Sequence, residues 1–235
     1  MTTRRVVRRV LSGLGLVGLA RGALRRAAPY LSWGAMEFPP YDALIQRAAL
    51  ATGDYARYAS LALAIRRLDE ERIPGVFAEV GVYRGETSRF LLRCAPERTL
   101  YLFDTFEGFP LQDREPENRD DSRFRDTSED AVRRALGGGR NVVIRKGRFP
   151  ETAAGLEAER FAFALLDLDV FEPTVAGLEF FYPRLSAGGY LFVHDFNNPE
   201  SNYACRRAVT RFMADQPEKL VELPDVWGSV VIRKS

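Results

Sequence analysis

The chain has 235 residues, 46% hydrophobic and 28% charged, a globular balance that excludes wholesale disorder and lets one domain fold without disulfides or a structural metal. Two cysteines, Cys94 and Cys205, exclude a disulfide framework and a zinc ribbon, and the single histidine, His194, excludes any mechanism that needs two. The net charge of +2 hides an asymmetry: residues 1–30 carry seven arginines and no acid, which leaves the other 205 residues at −5 and argues against a nucleic-acid-binding body.

In chain order, an arm at residues 1–34 precedes a body at 35–235. On a helical wheel Arg4, Arg5, Arg8 and Arg9 fall on one side, and Val6, Val7, Val10, Leu11 and Leu14 on the other. A short basic amphipathic helix of this kind suits an anionic membrane surface or an acidic partner. Gly13, Gly15, Gly18 and Gly22 weaken it further along, at up to ~1 kcal/mol each. A poorly ordered terminus, or a contact between copies in a homo-oligomer, is an equally good reading. A secretory leader cleaved at Ala20 ranks below both, because the chemistry read below needs a cytoplasmic cosubstrate. The uncharged stretch Val10–Ala20 falls short of the about 20 apolar residues of a membrane span. The expected location is the cytoplasm, with a peripheral place at the inner face of the membrane as the alternative.

Tyr41–Thr52 and Asp54–Glu71 read as helices, the second with Tyr58, Leu61, Ala62, Ile65 and Leu68 on one face. Apolar runs then alternate with amphipathic ones. The runs are Gly75–Val82, Thr99–Phe103, Asn141–Arg145, Phe161–Leu166 and Gly189–Val193. Between them lie helical candidates at Glu86–Cys94, Ser128–Leu136, Glu151–Glu159 and Pro173–Leu185. Short runs that are apolar on both faces and alternate with helices predict a parallel sheet covered on both sides. After a helix at Tyr203–Ala214, the runs Lys219–Leu223 and Ser229–Ile232 flank a short turn, which predicts an antiparallel pair. Leu111–Asp130, with eight acids and four arginines, reads as a lid or substrate loop.

Open parallel sheets bind ligands beyond the carboxyl ends of their strands. In Glu79-Val80-Gly81-Val82-Tyr83-Arg84-Gly85 the glycines allow a backbone turn to approach a ligand closely, and the third glycine of a dinucleotide fingerprint is missing. An acid two residues before the first glycine suits S-adenosylmethionine, whose amino-acid end carries a cation; a plain tight turn is the alternative. Asp104, 25 residues after Glu79, is placed to accept from ribose hydroxyls, with a helix cap as its alternative. Thr105 and Phe106 follow it, Phe106 as a cover for adenine or as packing. Gly147, after the third strand, permits an approach to the adenine edge.

Asp167-Leu168-Asp169 and His194-Asp195 end the fourth and fifth strands. Clustered carboxylates repel one another without a cation, and an oxygen-rich pair suits Mg²⁺. Asp167 and Asp195 are the candidate ligands. Asp169 is a candidate ligand, outer acid or general base; His194 is a candidate nitrogen ligand, base or plain structural donor. Consecutive strand residues point to opposite faces unless the strand has ended, which favours one of His194 and Asp195 as ligand.

The motifs AEVGVYRGETSRFL, LYLFDTFEGFP, IRKGRFPET, LDLDVFEPTVAGLEFFYPRLSAGGYLFVHDFNN and WGSVVIRK together resemble the macrocin O-methyltransferase family, over about Pro74 to Lys234. The resemblance implies the Rossmann-like class I methyltransferase fold: seven strands, mostly parallel, the last antiparallel, with helices on both faces. It implies methyl transfer from S-adenosylmethionine to a hydroxyl of a sugar, a glycan precursor or another small molecule, with a divalent metal, usually Mg²⁺. By position Glu79, Gly81 and Asp104 match the cosubstrate motifs, and Asp167 and Asp195 match the metal acids. Their 28-residue separation is also similar to that in catechol-type methyltransferases. One departure stands out: antibiotic-sugar members carry paired acids where this chain has His194-Asp195. The rival readings are a nucleotide-binding oxidoreductase and a non-catalytic module of the same fold held at a membrane or assembly.

Overall fold

Strands form where the sequence has short runs that are apolar on both faces. In the computed structural model, which describes residues 43–116, 119–139 and 141–235, these are β1 (Val76–Val80), β2 (Leu100–Asp104), β3 (Val142–Lys146), β4 (Phe161–Leu166) and β5 (Leu185–Val193). β6 (Val221–Leu223) and β7 (Ser229–Arg233) complete one seven-stranded sheet, in the order β3-β2-β1-β4-β5-β7-β6. The first five strands are parallel; β7 runs antiparallel to both β5 and β6. This is the arrangement that the resemblance implies. The arm at 1–34 lies outside the described residues. Among the described residues no helix is long and apolar enough to cross a membrane.

β4 sits at the centre, and all six of its residues are buried, as a strand covered on both faces requires. Its first residue, Phe161, joins Phe103, Phe149 and Phe181 in the core, with Phe161 and Phe181 edge to face at 4.9 Å between centroids. Such ring pairs contribute about 0.5–1.5 kcal/mol each beyond their burial.

The helices are α1 (Ala43–Ala51), α2 (Tyr55–Glu70), α3 (Glu86–Cys94), α4 (Glu129–Ala135), α5 (Phe171–Phe181) and α6 (Ala204–Met213). α2 starts where the Asp54 side chain accepts from the Arg57 N–H at 3.3 Å. It buries the face expected of it: Tyr58, Leu61, Ala62, Ile65 and Leu68. α4 is capped in the same way by Ser128, which accepts from the Ala131 N–H.

Two elements differ from the sequence reading. The helix expected at Glu151–Glu159 is a single 3₁₀ turn, Glu151–Ala153, because Gly155 takes a left-handed φ of +84° and turns the chain toward β4. β5 begins four residues early, at Leu185. Its register against β4 slips between Phe161 and Phe163, so the Ser186–Gly189 stretch bulges out. There a Cβ on Gly189 would lie 2.8 Å from the Ser186 carbonyl oxygen, which only glycine avoids.

Candidate active site

The chain leaves β1, builds β2 and β3 outward on one side, and returns to place β4 on the other. This reversal opens a cleft between the carboxyl ends of β1 and β4. Val80 and Leu166 are register partners there, and Gly81 and Asp167 follow them. The two chains pass so closely that a Cβ on Gly81, whose φ is +88°, would lie 1.9 Å from the Asp167 carbonyl oxygen. A cavity of about 450 Å³ lies above this crossing. Of the residues singled out in the sequence, Glu79, Gly81, Tyr83, Asp104, Thr105, Gly147, Asp167 and Asp169 stand on its wall.

On the β1–β2 side the carboxylates meet neutral donors. Asp104 Oδ2 accepts from the Val82 and Tyr83 N–H groups at 2.6 and 2.8 Å, and Oδ1 from the Phe106 N–H at 2.6 Å. One carboxylate thus ties the loop after β1 to the end of β2 while facing the cavity. The loop-tying role and a place on the cavity wall coexist. Glu79 is buried and accepts from the Ser88 hydroxyl. Burial is the main cause that pushes its carboxyl up to about 8, with the Ser88 hydrogen bond opposing.

On the β4–β5 side the carboxylates meet cations. Arg57 Nη2 donates to Asp167 Oδ2 at 2.6 Å, from the first turn of α2. His194 Nδ1 lies 2.7 Å from Asp195 Oδ2 and 3.2 Å from Asp167 Oδ1. Asn198 Nδ2 donates to Asp195 Oδ1 at 2.9 Å and to Asp169 Oδ1 at 3.3 Å. Burial alone would lower the His194 pKa, but Asp167 and the hydrogen bonds to both carboxylates overcome it and raise it to about 10. Burial also works to raise Asp167, yet Arg57 and then His194 hold it far below the usual carboxylate range. Asp169 makes no such ion pair among the described residues, although the charges of Arg123 and His194 act to lower it. Burial first, then Asp195 and Asp167, push its carboxyl well above that range.

His194 and Asp195 do not point apart. The strand ends at Val193, and Asp195 takes a left-handed φ of +57°, which swings both side chains into one cluster. Tyr83, Phe106 and Asp169 take φ values of +52°, +55° and +58° just beyond β1, β2 and β4. Each such non-glycine residue costs about 1–3 kcal/mol, and such residues tend to gather at functional sites.

Ligand atoms of Asp167, His194 and Asp195 lie within 4.8 Å of one another, the span that a metal ion needs. The donors as arranged do not fit Mg²⁺. Every oxygen of the two carboxylates already faces a nitrogen of Arg57, His194 or Asn198. An Nδ1–H that donates has no lone pair to offer a metal.

Gly85, Phe106, His194 and Asp195 are not on the cavity wall. Gly85 is the N-cap of α3 and Phe106 is buried, so its ring is packing here. The sequence reading missed Arg57, although it continues the apolar stripe of α2 four residues before Leu61. It also missed Asn198 and the pair Asp113–Arg148, in which Arg148 Nε and Nη2 reach one buried carboxylate at 2.7–2.9 Å. That pair fastens the loop after β2 to the end of β3. Tyr83 Oη fastens the far end of the loop through Asp126 at 2.7 Å.

The macrocin O-methyltransferase (TylF) family profile matches residues 46–228 of the chain. The 8-demethyl-8-(2,3-dimethoxy-alpha-L-rhamnosyl)-tetracenomycin-C 4'-O-methyltransferase of Streptomyces olivaceus is 29% identical over 182 residues, covering 66% of this chain and 68% of that protein. The mycinamicin III 3''-O-methyltransferase of Micromonospora griseorubida is 27% identical over 198 residues, covering 72% and 76%. Among solved structures, the O-methyltransferase NovP aligns with a TM-score of 0.65 at 26% identity, covering 77% of this chain and 80% of that one.

Proposed function

The chain belongs to the macrocin O-methyltransferase family and is an S-adenosylmethionine-dependent O-methyltransferase, and from that premise we propose that it methylates a hydroxyl on the sugar of a glycosylated small molecule. The relatives' names support the acceptor class: a rhamnosyl tetracenomycin in one case, a mycinamicin in another. The observation that carries the reading is the layout of one cavity: Glu79 and Asp104 on its β1–β2 side, Asp169 on its β4 side.

The cosubstrate supplies an electrophilic methyl group on a sulfonium. Glu79 pairs with its ammonium group, Asp104 accepts from its ribose hydroxyls, and Gly81 lets the backbone approach. Asp169 takes the proton of the acceptor hydroxyl. Its raised pKa suits a base that works near neutral pH. His194, held between two carboxylates and off the cavity wall, fixes Asp195 and Asp167 rather than moving protons. Phe109 and Phe124 on the wall, with the loop that carries them, shield the reactants from water. Holding the two reactants in line contributes much of the acceleration. The Mg²⁺ expected on Asp167 and Asp195 has no part in these steps.

The test is calorimetric titration with S-adenosylmethionine, followed by transfer of a labelled methyl group onto rhamnosyl glycosides. Binding and transfer to a sugar oxygen are expected, and Asp169→Asn should bind the cosubstrate while losing transfer. Absence of binding would overturn the reading.

The arginine-rich segment 1–30 supplies, in this reading, a peripheral contact with an anionic membrane surface. Co-sedimentation with vesicles of anionic lipid, lost on deletion of residues 1–30, is the expected result; no co-sedimentation would sink it.

A further inference from the structure

Asp167 and Asp195 offer four carboxylate oxygens, and nitrogen atoms already occupy the approach to each. Arg57 Nη2 is 2.6 Å from Asp167 Oδ2; His194 Nδ1 is 3.2 Å from Asp167 Oδ1 and 2.7 Å from Asp195 Oδ2; Asn198 Nδ2 is 2.9 Å from Asp195 Oδ1. We propose that this centre works without a divalent cation, and that the guanidinium of Arg57 supplies the positive charge at Asp167 that a metal would otherwise supply.

Three features carry the inference. Arg57 is fixed rather than incidental. It lies in the first turn of a capped helix, its side chain is 11% exposed, and its guanidinium carbon sits 5.9 Å from the centre of the Tyr58 ring. Its charge is permanent, since an arginine does not lose its proton in a protein. Second, His194 puts an N–H at the point where the two carboxylates converge, and a donor there excludes a cation. Mg²⁺ also demands a near-octahedral shell and keeps several waters, for which the guanidinium and the imidazole leave no room. Third, the Arg57 Nε–H is buried with no hydrogen-bond partner among the described residues, and Arg57 lies on the cavity wall. The permanent charge of Arg57 therefore stands at the cavity in which an acceptor oxygen gains negative charge as its proton leaves.

The inference rests on the methyl-transfer reading, but its test reads metal binding, so the two fail separately. Mn²⁺ is titrated into the full chain and its free-ion paramagnetic resonance signal is followed. Wild type should leave the signal undiminished. Arg57→Met combined with His194→Asp should bind one Mn²⁺ per chain, at least about tenfold more tightly than wild type. One Mn²⁺ bound per wild-type chain, with no gain in the double variant, would overturn the proposal. If the double variant does not fold, the wild-type titration decides alone: no bound Mn²⁺ sustains the proposal, and stoichiometric binding ends it.

Discussion

At the β1–β2 side of the cavity, carboxylates are held by a serine hydroxyl and backbone N–H groups; at the β4–β5 side they are held by an arginine and a histidine. The first half is local. Its donors lie within 22 residues of the acids they serve, and the strand-to-helix turns bring them there. The second half is assembled across the chain, with Arg57 reaching Asp167 over 110 residues. Neutral donors leave a carboxylate free to answer a ligand's charge, whereas paired cations consume that freedom and convert it into structure. One rim therefore keeps its carboxylates without a cation partner, and the other holds Asp167 and Asp195 in place with Arg57 and His194.

Substitution at the crossing between the halves should have the largest effect. Gly81→Ala puts a methyl group into the Asp167 backbone at a positive φ. It should destabilise the fold by about 4 kcal/mol or more, and thermal unfolding would show it as a collapse in Tm.

Next comes Asp167→Asn, which leaves Arg57 buried beside a neutral amide. Because the Asp167 side chain keeps 24% exposure, the expected loss is at the lower end of about 3–5 kcal/mol in chemical denaturation. Equal stability of variant and wild type would erase the distinction between the two halves.

The smallest change in stability belongs to Glu79→Gln. The Glu79 carboxyl, raised to about 8, is mostly protonated at pH 7, and an amide replaces it with little loss. An acid whose folded pKa is raised loses stability as pH climbs from its unfolded value toward the folded one. The variant should therefore gain on wild type between pH 4.5 and 8. Cosubstrate binding should weaken by about 1.5–3 kcal/mol, some ten- to hundredfold. In wild type, affinity should rise with pH until Glu79 ionises near pH 8, and in the variant this slope should vanish. Calorimetry across that range reads both.

The two halves also differ in how far they were legible. Parallel strands buried on both faces leave short continuous apolar runs, so β1 to β5 and the residues just past them could be placed, and with them Glu79, Gly81 and Asp104. Arg57 announces itself only as a charge at the end of an apolar stripe, and its partner is fixed by how α2 docks on the sheet. The joint orientation of His194 and Asp195 depends on a left-handed residue that a period-two pattern does not contain. The helix lost after Pro150 failed at Gly155, where a glycine inside an otherwise helical pattern marked a turn.

The left-handed residues beyond β1, β2, β4 and β5 bear on how this enzyme can change its acceptor over time. Backbone there tolerates glycine, asparagine and aspartate and resists branched side chains. At positions 83, 106, 169 and 195 the left-handed backbone therefore disfavours β-branched replacements, whatever acceptor selection favours. The loop after β2 is under no such limit along most of its length.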